Sequence, residues 1–130
     1  MTSGLDTSVV VRLLVGAPAD QATLARQTIE RATRGSVAVS DLVIGESYFA
    51  LRHHYDVPHR RAISALAALV SDPRIRCTGT AAQVLASMPD RETGAGLMDR
   101  LIHGGYESDG ITLLTFDRAA ARLHSARLLV

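Results

Sequence analysis

Short apolar runs alternate along this chain with longer segments whose apolar residues recur at helical spacing. The runs Val37-Ala38-Val39, Arg74 to Thr78 and Ile111 to Phe116 read as buried strands, the last being the clearest in the sequence. Gly4-Leu5 opens a short strand that passes directly into a helix. Thr7 or Ser8 is placed to cap that helix, and Gly16-Ala17-Pro18 ends it. Ala19 to Arg34 carries Ala22, Leu24, Ala25, Ile29 and Ala32 on one face, with Gly35 as the stop. Ser40 or Asp41 caps a third helix containing Leu42, Val43, Glu46, Phe49, Ala50 and His53. Pro58 starts a fourth, with Ile63, Leu66, Ala67 and Val70 facing inward and Asp72-Pro73 as its end. Thr80 caps Ala81 to Met88, Gly96 to Glu107 forms a further helix, and a short helix follows Asp117 through Leu123. Arg127 to Val130 is expected to add an edge strand.

Strands alternating with helices predict an α/β fold, a three-layer α/β/α sandwich around a central, mostly parallel sheet. In such sheets ligands sit beyond the carboxyl ends of the strands. Asp6 and Asp117 each follow an apolar strand immediately, which puts them on a common rim. Glu46 and Asp99 stand on helices among apolar neighbours, Leu42, Val43, Phe49 and Ala50 for the first, Leu97, Met98, Leu101 and Ile102 for the second. If those stripes face inward, each acid is costly unless paired or metal-bound; the alternative turns each onto the solvent side of its helix. Like charges about 4 Å apart repel by roughly 4 kcal/mol at an effective dielectric near 20, so converging carboxylates must bind a cation, bind protons or cost stability.

Composition narrows the function. A chain of 130 residues, 47% apolar, buries enough surface for one domain spanning 1–130 without disulfides. Its one cysteine, Cys77, lies in a strand and reads as a small buried residue, consistent with a reducing, cytoplasmic setting. Met1 to Leu5 is short and uncharged ahead of Asp6, so no signal peptide is expected, and no apolar stretch reaches membrane-span length. All 14 basic residues are arginines. Without lysine, neither a P-loop nor a phosphate-accepting receiver domain is possible. The net charge of +1 is neutral on nucleic acid. With four acids neutralised by metal, however, 14 basic residues stand against 9 acidic ones, and the chain can approach a polyanion.

Four motifs then carry a family resemblance. Leu5-Asp6-Thr7-Ser8-Val9-Val10-Val11-Arg12-Leu13-Leu14 resembles the opening of PIN-domain ribonucleases, particularly VapC-type toxins. Ser40 to Leu51, around Glu46, resembles the second acidic motif. Met98-Asp99-Arg100-Leu101-Ile102 is similar to the third, and Leu114-Thr115-Phe116-Asp117-Arg118 to the fourth. The order and spacing span essentially the whole chain. Three features depart from the pattern: Ser8 replaces the usual Asn, Arg100 stands beside Asp99 where a small residue is usual, and Gly104-Gly105 interrupts a helix.

The resemblance implies a metal-dependent endoribonuclease, the toxin of a toxin–antitoxin pair, acting as a homodimer and restrained by a small cognate antitoxin. It implies Mg²⁺ or Mn²⁺, hard cations that take oxygen ligands. Asp6 and Asp99 are the expected direct ligands, with Glu46 and Asp117 completing the shell and Thr115 orienting a ligand water. A catalytically inactive PIN-like binding module and a small-molecule phosphohydrolase are the competing readings; Arg100 and the glycine pair motivate the first, and the missing lysine and Asp-x-Asp pair count against the second. His53-His54 lacks partners at metal-ligand spacing and reads as a surface pair. Asp99 and His103 share a helix face, and Arg12, Arg52 and Arg100 are candidates for phosphate contacts. No G-x-S-x-G nucleophile motif is present, and three Tyr and two Phe cannot build an aromatic RNA-stacking surface.

Overall fold

A computed structural model describes residues 2–130; Met1, where the expected lack of a signal peptide begins, lies outside the described residues. Strand β1 (Ser3–Gly4) leads through Leu5 and Asp6 into α1 (Thr7–Val15), and α2 (Ala19–Glu30) follows. Then come β2 (Val37–Val39), α3 (Asp41–His53), α4 (His59–Ser71) and β3 (Ile75–Cys77). The remainder is α5 (Ala81–Ser87), α6 (Leu97–Ser108), β4 (Leu113–Thr115), a 3₁₀ turn (Ala120–Arg122) and β5 (Ala126–Leu128). The expected α/β architecture with parallel strands and flanking helices is therefore present. No helix of the described residues is long and apolar enough to cross a membrane.

The strands form two parallel sheets where one was expected, ordered β1-β2-β3 and β4-β5. Ser3 and Leu5 donate their amides to Ser36 and Ala38 carbonyls at 2.8 Å, so β1 is paired on its β2 side. Its other edge has no strand partner among the described residues. β4 likewise pairs with β5 alone, Leu113 with Ala126 and Thr115 with Leu128. The ends of the predicted strand 111–116 are occupied otherwise. Ile111 donates to the Tyr106 carbonyl at the end of α6, and the Asp117 amide turns back onto Thr115 Oγ1 at 3.0 Å.

Several boundaries differ from the sequence expectation for local reasons. Asp6, and neither Thr7 nor Ser8, is the N-cap of α1. α2 ends at Glu30 because Ala32 to Ser36 is spent on the turn into β2, with Ser36 Oγ donating to the Thr33 carbonyl at 2.7 Å. Ser40 caps α3 through Val43 N at 3.2 Å. That frees Asp41, whose two carboxylate oxygens accept the amides of Thr80 and Ala81 at 3.2 and 3.0 Å. Asp41 thus caps α5 from a different helix, in the role expected of the Thr80 hydroxyl.

The core draws on sheet and helices alike: Val10 of α1, Val37 and Val39 of β2, Ile44 and Leu51 of α3, Leu66 of α4 and Leu97 and Leu101 of α6 are all buried. On α3 the buried face is Ile44, Gly45, Ser47 and Leu51. Leu42, Glu46 and Phe49 lie together on the exposed face, so the apolar stripe around Glu46 points outward. Gly45 lets α6 come close. A side-chain Cβ there would stand 2.9 Å from Met98 Sδ and 3.5 Å from a Leu101 methyl. Gly104 does the same where α6 meets α5, since a Cβ there would lie 3.2 Å from a Val84 methyl. The glycine pair read as a weak point in α6 is thus partly a packing requirement.

Two measurements test this framework. Asp41→Ala leaves two helix-terminal amides without their acceptor and is expected to cost about 1–2 kcal/mol, lowering the melting midpoint by several degrees. Asp72 accepts three hydrogen bonds from Arg74, and this brings its carboxyl from 3.8 down to about 2. A depressed folded-state value means stability that is complete above the unfolded value and lost as pH falls through the folded one. Thermal melts of the wild type should therefore lose a component between about pH 4 and pH 2 that Asp72→Asn lacks.

Candidate active site

Asp6 sits between β1 and α1, where backbone amides point outward. Its carboxylate accepts from Ser8 Oγ at 2.8 Å. That hydrogen bond, first, and then the nearby Thr7 and Ser8 amides hold its carboxyl below the ordinary carboxylate range. The amides act by proximity, for the side chain closes no cap bond to the helix. Ser8, the residue replacing the usual Asn, supplies the donor that a polar side chain is needed for. Arg12, one turn on, donates from Nη1 to the Ser8 carbonyl at 3.1 Å, and its charge adds a small further pull.

Thr7 brings the second acid in. Its Oγ1 donates to Glu46 Oε1 at 3.2 Å, across 39 residues of sequence, and so ties α3 to the N-terminus of α1. The expected cap residue is therefore a link between two candidate acids. Asp6 and Glu46 are both exposed and both oriented by a neighbouring hydroxyl.

Asp99 lies in the first turn of α6 and is half-buried. Its helix is placed by the Gly45–Met98 approach described above, so Asp99 follows the residue that covers the backbone next to Glu46. The segment leading into α6 is anchored separately. His59, buried in α4, donates from Nε2 to the Pro89 carbonyl at 3.0 Å, and its Nδ1 is hydrogen-bonded to the Tyr48 hydroxyl at 2.6 Å. Glu92 in the same segment pairs with Arg52 at 2.8 Å. Arg52 also donates to the Val57 carbonyl, so this candidate phosphate contact is committed to holding the fold.

Asp117 follows β4 in an exposed turn. Its Oδ1 accepts the Ala120 amide at 2.9 Å and its own amide is held by Thr115 Oγ1, so Thr115 orients the acid's backbone. The common rim inferred for Asp6 and Asp117 does not follow, because β1 and β4 belong to different sheets.

The four acids therefore reach different degrees of convergence. Asp6 and Glu46 are linked through Thr7, Asp99 is carried against α3 by helix packing, and Asp117 stands on the separate β4–β5 unit. Among the described residues no three His, Cys, Asp or Glu side chains are gathered closely enough to hold a metal ion between them. His103, expected to share a face with Asp99, turns instead to the His124 carbonyl and to Glu107 Oε2 at 3.3 Å. His53 and His54 are exposed and pack around the Phe49 ring, with centroids 4.5 and 6.2 Å away. The roles missed from sequence are those of Thr7 and Asp41. Each sits at a helix start, where polarity alone suggests a cap and gives no sign of a longer-range partner.

Comparison with known proteins complements the geometry. No curated protein matches the chain. Among solved structures, VapC20 from Mycobacterium tuberculosis, described as a sarcin-ricin loop cleaving toxin, is 21% identical over 88% of each chain, with a TM-score of 0.45. VapBC2 from Rickettsia felis, solved bound to a DNA fragment from its promoter, is 17% identical over 99% of this chain and 98% of that one, with a TM-score of 0.41. The model of the PIN domain matches residues 5–125, from the residue before Asp6 to beyond Asp117. The chain belongs to the PIN domain family.

Proposed function

We propose that this protein is a metal-dependent endoribonuclease, the VapC-type toxin of a type II toxin–antitoxin pair. The observation that carries the reading is the Asp6–Thr7–Glu46 arrangement: two solvent-facing acids, each oriented by a hydroxyl, at the mouth of a PIN-domain sheet. Oriented carboxylates that form no ion pair with a basic side chain among the described residues suit a hard cation.

The donor set fits Mg²⁺ or Mn²⁺. Mg²⁺ is usually held by one or two protein carboxylates, with waters and substrate phosphate filling the remaining positions, so a preformed cage is not required. Asp6 and Asp99 would hold it directly, with Glu46 and Asp117 completing the shell. A bound ion supplies Lewis-acid polarisation of the phosphate and a more acidic water. The chain's own residues keep the oxygens aimed. Ser8 holds Asp6 and favours its charged form, Thr7 holds Glu46, and Thr115 holds the Asp117 backbone. No side chain acts as a covalent nucleophile in this scheme, and water attacks phosphorus. Arg12 and Arg100 each give one N–H to a backbone carbonyl, of Ser8 and Ala95, and keep further N–H groups for substrate phosphates.

The same surface supports the proposed partners. Leu42 and Phe49 are 64% and 57% exposed beside Glu46, and Phe116 is 81% exposed beside Asp117. Met98, Ile102 and Tyr106 add an exposed row on α6. Apolar side chains at this density beside a charged site suit protein contact, here a second copy in a homodimer and a cognate antitoxin covering the acids. A cytoplasmic location accords with an RNA substrate.

Incubation with structured RNAs, a sarcin-ricin loop oligonucleotide among them, should give Mg²⁺- or Mn²⁺-dependent cleavage. Asp6→Ala and Asp99→Ala should each reduce that cleavage by more than about a hundredfold, since even outer-shell changes cost 10–100-fold. Cleavage that persists in both variants, or in excess chelator, overturns the mechanism. Mn²⁺ at about one hundred times its dissociation constant should stabilise the wild type by about 2.7 kcal/mol, seen as a raised melting midpoint. An unchanged midpoint favours the competing reading of a non-catalytic binding module.

A further inference from the structure

The β4–β5 unit poses a problem for a site that uses Asp117. No ladder joins it to the three-stranded sheet, so strand pairing does not fix Asp117 relative to Asp6. Among the described residues, the hydrogen bonds that tie residues 112–130 to the rest of the chain all converge on His124. His103 Nε2 donates to the His124 carbonyl, and His124 Nδ1 donates to Glu107 Oε2 at 2.9 Å. His103 Nε2 also lies 3.3 Å from the same Glu107 oxygen, so one carboxylate gathers both rings. These three groups border an open cavity of about 440 Å³ between α5, α6 and the Leu123-His124 segment.

Both ends of this bridge lead to candidate acids. His103 is one helical turn beyond Asp99 on α6, a rise of about 6 Å. From His124 a continuous set of hydrogen bonds runs back to Asp117: Leu123 N to the Ala120 carbonyl, Ala121 N to the Asp117 carbonyl, and Ala120 N to Asp117 Oδ1. His124 is the next residue after Leu123, so these bonds couple its position to that of Asp117. Glu107 is suited to the task, since the His124 hydrogen bond, first, and the charges of the two histidines hold its carboxyl below the ordinary range.

We propose that the His103–Glu107–His124 bridge is a positioning device that fixes the β4–β5 unit, and Asp117 with it, relative to α6, the helix that carries Asp99. Glu107 and His124 are positioning residues, acting through Asp117. The inference rests on reading Asp99 and Asp117 as metal-holding residues, and goes beyond it by naming what brings the fourth acid into place.

Mn²⁺ titration of the full chain by calorimetry tests this. His124→Ala and Glu107→Gln should each weaken Mn²⁺ binding about tenfold, the range for residues that orient ligands. His124→Gln, which keeps an N–H donor, should recover most of that loss. In an Asp117→Ala background neither change should weaken binding further, because the route through Asp117 is already cut. Amide exchange at Leu113 and Leu129 should quicken in His124→Ala and not in His124→Gln. Unchanged Mn²⁺ affinity in both His124→Ala and Glu107→Gln overturns the positioning role and leaves the metal site standing. Equal weakening with and without Asp117 also overturns it. A wild type that binds no Mn²⁺ defeats the metal reading itself and the positioning role with it.

Discussion

The site depends on how closely α6 can lie against its neighbours. Two positions with no side chain, Gly45 on α3 and Gly104 on α6 itself, face Met98 and Leu101 on one side and Thr80 and Val84 on the other. Interiors are packed at crystal-like density, so an added carbon at such a contact is accommodated by moving something. The two contacts differ in what can move. Met98 is a flexible, partly exposed thioether that can swing aside, whereas Val84 is a buried branched side chain on a short helix. The Gly104 side is therefore the stiffer of the two, and it sets the depth at which α6, and Asp99 with it, is seated.

Seating α6 needs its approach to be fixed as well. The Tyr48–His59–Pro89 chain and the Arg52–Glu92 pair tie down the segment ahead of it, using donors and acceptors from α3 and α4. The burial of Tyr48, followed by the negative charge of Glu92, pushes its phenol upward, which keeps it a hydroxyl between His59 and Glu92. Asp41 performs the matching task at the start of α5. Several polar residues close to the candidate acids thus serve the scaffold, and this separates them from Asp6, Glu46 and Asp99, whose carboxylates form no ion pair among the described residues.

Much of the fold was legible in the sequence because it rests on periodicity and punctuation. Val37-Ala38-Val39 could only be a buried strand, and Pro58 and Asp72-Pro73 bracket α4 nearly to the residue. What depended on a distant partner was not legible. The hydroxyls of Thr7 and Ser8 read as helix caps, yet they bind Glu46 and Asp6. The α3 stripe Leu42-Glu46-Phe49 has helical spacing whichever way it faces, and only packing against α1 and α6 shows that Ile44 and Leu51 take the inner face. Likewise, the common rim for Asp6 and Asp117 assumed one sheet, and strand patterning carries no information about which edges pair. The acids were identified by type and motif; their relative placement is a tertiary property.

A sheet in two pieces has four outer edges, on β1, β3, β4 and β5, and such edges usually invite other chains to add a strand. Here β1 is two residues long and β4 three, so on those two strands Gly4 and Leu114 are the residues left to present outward-facing amide and carbonyl groups. A template that short cannot hold a foreign strand in register. Brevity protects these edges from self-association, and it allows an open seam next to the acids without a shielding loop.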